Sequence, residues 1–238
     1  MYSGQSAVVQ DRSQPPETSG TYGRSSRTGV RQLGAGLALG VALLLLGFLV
    51  STGPVTAADT GVLRAVSHLR NGLFTVVAQL FTLIATPELW AALGFVIPVV
   101  LYLTRRRGQA LRVLCVLIGS TGVTYVAKAL VDEHRPPRSL WVETPDSGSF
   151  PSGHTTAATA IVVCALILAP VAARRAVAIT GAVFILAVAA SRFYLGVHYV
   201  PDTAGGVLST ACATVFLTGL SHLPPGRRWL LQLDDASR

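Results

Sequence analysis

Lys128 is the only lysine among the 19 Lys+Arg residues of this chain. Arg135-Pro136 follows, then Pro151-Ser152-Gly153-His154, then Ser191-Arg192 with His198 and Asp202. These cations, imidazoles and one carboxylate stand at the ends of long apolar runs that otherwise exclude charge. Phosphoryl transfer spreads negative charge over three equatorial oxygens, so a protein catalyses it mainly by positioning groups and stabilising that charge. Lys128, Arg135 and Arg192 would supply the cations, the two guanidinium groups each gripping two oxygens. Ser152 and Gly153 stand where an apolar helix should begin, and a helix N-terminus offers free N–H groups and a favourable dipole to an anion. Glycine at 153 would let the backbone come close, and the Ser152 hydroxyl could add a hydrogen bond.

A stepwise displacement needs a nucleophile and a proton carrier, and two histidines are available. Asp202, four residues after His198, can accept a hydrogen bond from one ring nitrogen and leave the other free to attack. His154 would then protonate the leaving oxygen and later activate water. The cations already balance the charge, so no metal or other cofactor is expected. Asp132, Glu133, Glu143 and Asp146 have no compact ligand spacing and read as solvated loop charges. Each element alone also has a plain structural reading. Lys128 and Arg192 could snorkel to headgroups, Ser152 could simply cap a helix, and His198 and Asp202 could be an ordinary side-chain pair. Their joint occurrence at segment ends favours one site.

The elements that must position these residues are long and apolar. Half of the 238 residues are hydrophobic, only 13% are charged, and mean hydropathy is +0.55. A soluble domain carries about 25% charged residues, so the composition is that of a membrane protein. The net charge of +8 does not indicate nucleic acid, because aromatics are scarce and the arginines fall in short clusters between apolar runs. Cys115, Cys164 and Cys212 lie inside those runs without metal-ligand spacing and read as small buried hydrophobes.

Residues 1–30 are polar and aperiodic and read as a disordered tail. Leu33–Gly53 is the first span, roughly 31 Å long as a helix. Val55-Thr56-Ala57 loosely resembles a signal-peptide cleavage site, but the length of the run and the polar stretch before it argue against one. Pro54–Arg70 is a partly amphipathic connector, and 71–86 is either an interfacial helix or an extension of the next span. Further spans are expected at Pro87–Thr104, Gln109–Val131, His154–Val171, Ala176–Gly196 and Pro201–Leu220. The domain map is thus a tail over 1–30, a six-helix membrane domain over 31–222, and a short tail over 223–238. With six spans, Arg24/Arg27/Arg31, Arg105–Arg107, Arg174/Arg175 and Arg227/Arg228 all fall on one face, which the positive-inside rule makes cytoplasmic. Every candidate reactive residue then faces the opposite side.

Lys128-x6-Arg135-Pro136, Pro151-Ser152-Gly153-His154 and Ser191-Arg192-x5-His198-x3-Asp202 together resemble the three-part signature of the type 2 phosphatidic acid phosphatase family. That family shares its catalytic core with vanadium-dependent haloperoxidases and glucose-6-phosphatase. The resemblance implies an all-α, polytopic six-helix membrane bundle with the haloperoxidase-like core. It also implies metal-independent hydrolysis of a lipid phosphate through a phosphohistidine on His198, with His154 as acid and base. Lys128, Arg135, Ser152, Gly153 and Arg192 are implied as phosphate ligands. One departure stands out: many members carry a basic residue just before the Arg-Pro pair, where this chain has Glu133 and His134.

The expected partners are membrane lipids and a lipid phosphate substrate such as phosphatidate, phosphatidylglycerol phosphate or a polyprenyl diphosphate, with no nucleic acid. The expected place is the plasma (inner) membrane of a bacterium, both termini cytoplasmic. A phosphotransferase passing the phosphoryl group to an alcohol is a close alternative. A non-catalytic lipid-binding or transport protein is a more distant one, and predicts charges within spans rather than at their outward ends.

Overall fold

In the computed structural model, residues 19–145, 147–224, 226 and 229 are described. Among the described residues eight α-helices run in chain order: α1 (Ser19–Val50), α2 (Gly53–Ser67), α3 (Gly72–Ile84), α4 (Pro87–Leu103), α5 (Arg107–Val131), α6 (Gly153–Leu168), α7 (Arg174–Tyr194) and α8 (Val200–His222). No strand occurs among the described residues.

Among the described residues five stretches are long and apolar enough to cross a membrane: 26–50 in α1, 72–103 across α3 and α4, then α5, 171–194 ending in α7, and α8. The fourth span expected from sequence, α6, is apolar but shorter, at 16 residues. These are the helices of a multi-pass membrane protein. Leu37, Val41, Leu45, Phe95, Leu103 and Leu186 point outward, as lipid contact requires.

One expectation changes and one open stretch takes form. Helix α1 already begins at Ser19, so residues 19–30 are not the disordered segment their polar composition suggested; residues 1–18 lie outside the described ones. Adding turns to an apolar helix that is already nucleated costs little. The uncertain stretch 71–86 becomes α3, capped by the Asn71 side chain. Pro87 lacks an N–H and excludes helical geometry at Thr86 (ψ 123°), so it breaks α3 from α4.

Helix α8 is central, with α1, α5 and α6 packed on it. Small residues permit the approach: a Cβ on Gly36 would meet the Phe216 backbone at 2.8 Å, and one on Gly219 would meet Leu33 N at 2.8 Å. Buried hydroxyls add cross-links, with Thr124 and Thr156 joining α5 to α6 at 2.9 Å and Thr210 Oγ1 donating to Thr156 O at 3.2 Å. In a bilayer, where apolar burial drives little association, close packing and interhelical hydrogen bonds of this kind hold helices together. The arginines of the α4–α5 and α6–α7 connections lie at one end of the bundle. Lys128, the start of α6, the end of α7 and the start of α8 lie at the other.

Candidate active site

Asp202 anchors the site from the first turn of α8. Its Oδ2 accepts from Tyr199 N (3.0 Å), so the carboxylate both closes the helix end and sits beside its dipole. The same Oδ2 accepts from the Ser149 hydroxyl and stands 3.0 Å from His198 Nδ1. Asp202 is fully buried and His198 is 1% exposed.

On the other side of the ring, Arg135 Nη1 lies 3.0 Å from His198 Nε2. A guanidinium has donors only, so Nε2 must present its lone pair and Nδ1 must carry the proton to Asp202. This tautomer leaves Nε2 nucleophilic. Burial, then the charges of Arg135, Arg192, Lys128 and His154, hold the His198 pKa well below the usual histidine value. That direction favours the neutral imidazole.

The turn that delivers His198 depends on Gly196, whose φ of +76° is left-handed and whose missing Cβ leaves room for Leu140 O. Gly205 and Gly206 bring α8 against the Phe150–Thr156 segment. A Cβ on Gly206 would meet Ser152 O at 2.7 Å. Ser152 N in turn donates to Asp202 O at 2.9 Å, tying the second motif to the third.

Ser152 is the N-cap of α6 and its Oγ accepts from the Thr155 hydroxyl at 3.2 Å, so part of its hydrogen-bonding capacity serves the helix. The Gly153 and His154 N–H groups occupy the first helical positions, where the helix itself supplies no acceptor. A Cβ on Gly153 would meet only Pro87 Cγ, at 3.6 Å. Internal packing therefore does not demand glycine there, whereas an anion approaching the backbone would.

Lys128, in the last turn of α5, donates to Gly148 O (2.6 Å) and Ser149 O (3.4 Å). Arg135 also donates to Ser147 O (2.8 Å) and Val197 O. Arg192, 2% exposed at the end of α7, forms an ion pair with Glu143 and donates to Thr82 Oγ1 at 3.1 Å. All eight candidate residues thus occupy one end of the bundle, around His198.

Two acidic residues read as solvated loop charges face partners in the site instead. Glu143 pairs with Arg192, and Glu133 is only 5% exposed, facing Asp202. The left-handed Asp132 (φ 46°) ends α5 and turns the chain so that residue 133 points inward. The departure from the family pattern at Glu133 was the one available signal. Asp132 is exposed as expected, and Asp146 lies outside the described residues. Thr82 and Ser149 also serve the site, and no sequence spacing marks either. Of the cysteines, Cys164 is buried, while Cys115 and Cys212 are half-buried.

The model of the PAP2 superfamily matches residues 109–223. Among solved structures, the chain is similar to the first transmembrane PAP2-type phosphatidylglycerolphosphate phosphatase, from Bacillus subtilis. The identity is 26% and the TM-score 0.67, over 77% of this chain and 93% of that one. No curated protein matches the sequence.

Proposed function

We propose that the chain is a membrane phosphatase of the PAP2 superfamily, whose model matches residues 109–223, and that it hydrolyses a lipid phosphate through a phosphohistidine on His198. The observation that carries this reading is the clamping of His198 between Asp202 at Nδ1 and Arg135 at Nε2. As Arg135 turns from Nε2 to the phosphate oxygens, Nε2 attacks phosphorus while the lipid alkoxide or phosphate leaves, and His154 donates the proton that the leaving oxygen takes up. His154 then accepts a proton from water, which attacks the phosphohistidine, breaks the N–P bond and releases phosphate. Lys128, Arg135, Arg192, the Ser152 hydroxyl and the Gly153 N–H bind the equatorial oxygens. Three cations give the charge stabilisation that a metal would otherwise supply, which supports a metal-independent reaction.

The solved relative acts on phosphatidylglycerol phosphate. A phosphomonoester of a glycerolipid is accordingly the first substrate class, with phosphatidate and polyprenyl diphosphates next. In the proposed topology α1, α4, α5, α6, α7 and α8 are the six spans. Residues 31–222 form the membrane domain, and 1–30 and 223–238 are cytoplasmic tails of a plasma-membrane protein. The arginine clusters support this orientation by the positive-inside rule, and it places the site on the extracytoplasmic face. The arginine-for-lysine bias and high alanine and valine content support a bacterial source.

The test is phosphate release by the purified protein in detergent, with EDTA, against these lipids. The wild-type protein should turn over at least one of them, and His198→Ala should lose at least about 10³-fold in kcat. Full turnover by His198→Ala, or strict dependence on a divalent ion, would overturn the reading.

A further inference from the structure

Glu133 has no role in the reaction described so far, yet it is among the most enclosed charged side chains in the protein. Neither of its carboxyl oxygens has a donor, and neither does Asp202 Oδ1. Ser149 ties the two residues together, its N–H donating to Glu133 O at 3.0 Å and its hydroxyl to Asp202 Oδ2, so the two carboxyl groups act on one another. All the donors that reach Asp202 (Ser149 Oγ, His198 Nδ1 and Tyr199 N) go to Oδ2. Three buried acceptors facing one another without a proton between them would be costly, and two adjacent carboxylates cannot both ionise. One shared proton pairs a Glu133 oxygen with Asp202 Oδ1 and removes the second negative charge.

We propose that Glu133 is a positioning residue that remains protonated, donates its carboxyl O–H to Asp202 Oδ1, and so fixes Asp202 as the single anion orienting His198. Its proton keeps a second negative charge away from the dyad and leaves Oδ2 free for the imidazole. The proposal rests on the reading of Asp202 and His198 given above.

The surroundings agree. Glu133 is faced by Asp202 from α8, Asp59 from α2, Lys128 from α5 and Tyr199 from the α7–α8 turn. Burial and the acids Asp202 and Asp59 push its pKa up to about 9, with Lys128 opposing them. On its outer side lies a cavity of about 540 Å³, whose walls include Thr60, Arg64 and His134. Through that cavity the proton can equilibrate with solvent. As pH rises through the Glu133 pKa, the proton leaves and the second anion appears, so activity should fall along an alkaline limb.

The experiment compares full-length wild-type protein with Glu133→Gln and Glu133→Ala in detergent, by infrared titration and by pH profiles of kcat. Wild type should show a protonated-carboxyl C=O band that disappears as pH rises past about 9, and Glu133→Gln should lack it. Glu133→Ala should lose about 10- to 100-fold in kcat with little change in KM, the scale of a charge-assisted hydrogen bond. Glu133→Gln keeps a donor, so it should recover part of that loss while its alkaline limb moves or vanishes. Absence of the band in wild type, or its persistence in Glu133→Gln, would overturn the proposal. So would an alkaline limb that the glutamine variant leaves in place, which would belong to Lys128. The infrared readout needs no turnover, so a failure of the phosphatase reading would be seen separately, in the His198→Ala assay.

Discussion

At the residue scale, the site is a set of polar atoms whose partners leave little freedom. Arg135 can only donate, Asp202 Oδ2 is an acceptor already engaged by two other donors, and the His198 tautomer follows from those two facts. On the proposed assignment of Arg192 to phosphate, Glu143 is the occupant that substrate must move. Its carboxylate engages Arg192, a guanidinium assigned to phosphate, so the two anions compete for the same donors. Glu143→Gln should therefore tighten competitive inhibition by inorganic phosphate by about threefold to tenfold. An unchanged or weaker inhibition constant would mean that Glu143 orients Arg192 for substrate. The motif residues themselves were legible in the sequence, because lysine, histidine and Arg-Pro at segment ends are conspicuous in an apolar chain. Glu133 and Glu143 were not. Spacing reports that an acid stands in a loop, whereas burial against a partner 69 or 49 residues away depends on how that loop folds back.

At the element scale, helix ends do the positioning. The first turn of α8 holds Asp202, the first turn of α6 presents Gly153 and His154, and the last turns of α5 and α7 carry Lys128 and Arg192. The short link between α7 and α8 is the most constrained part, since Gly196 at φ +76° must pass Leu140 O before His198 can reach Asp202. Gly196→Ala should cost roughly 1–2 kcal/mol for the left-handed residue alone, with the Leu140 contact adding to it. A thermal melt in detergent should show a lower Tm, and kcat should fall with it. A variant as stable and active as wild type would show that the turn has room to relax. Hydropathy located the helices α4 to α8 to within a few residues, but began the first one well after Ser19. It could not assign 71–86, because an apolar helix looks the same whether it spans lipid or packs obliquely. Here α3 packs on α7 and contributes Thr82 to Arg192.

At the scale of the whole molecule, charge asymmetry and chemistry divide the protein into two ends. Arginines occupy one end, the reactive groups the other, and the proposed bilayer lies between them. In a background lacking Cys115, Cys164 and Cys212, a cysteine replacing exposed Val142 should react with an impermeant maleimide in intact cells. One replacing Arg106 should react only after permeabilisation. The opposite pattern would invert the topology. The central claim, that a covalent phosphoryl group passes through His198, is tested most directly by rapid acid-free quench of the full-length protein with radiolabelled lipid phosphate. Base-stable, acid-labile label should map to His198 and accumulate further in His154→Ala; label on a serine, or steady turnover with His198 never labelled, would contradict it.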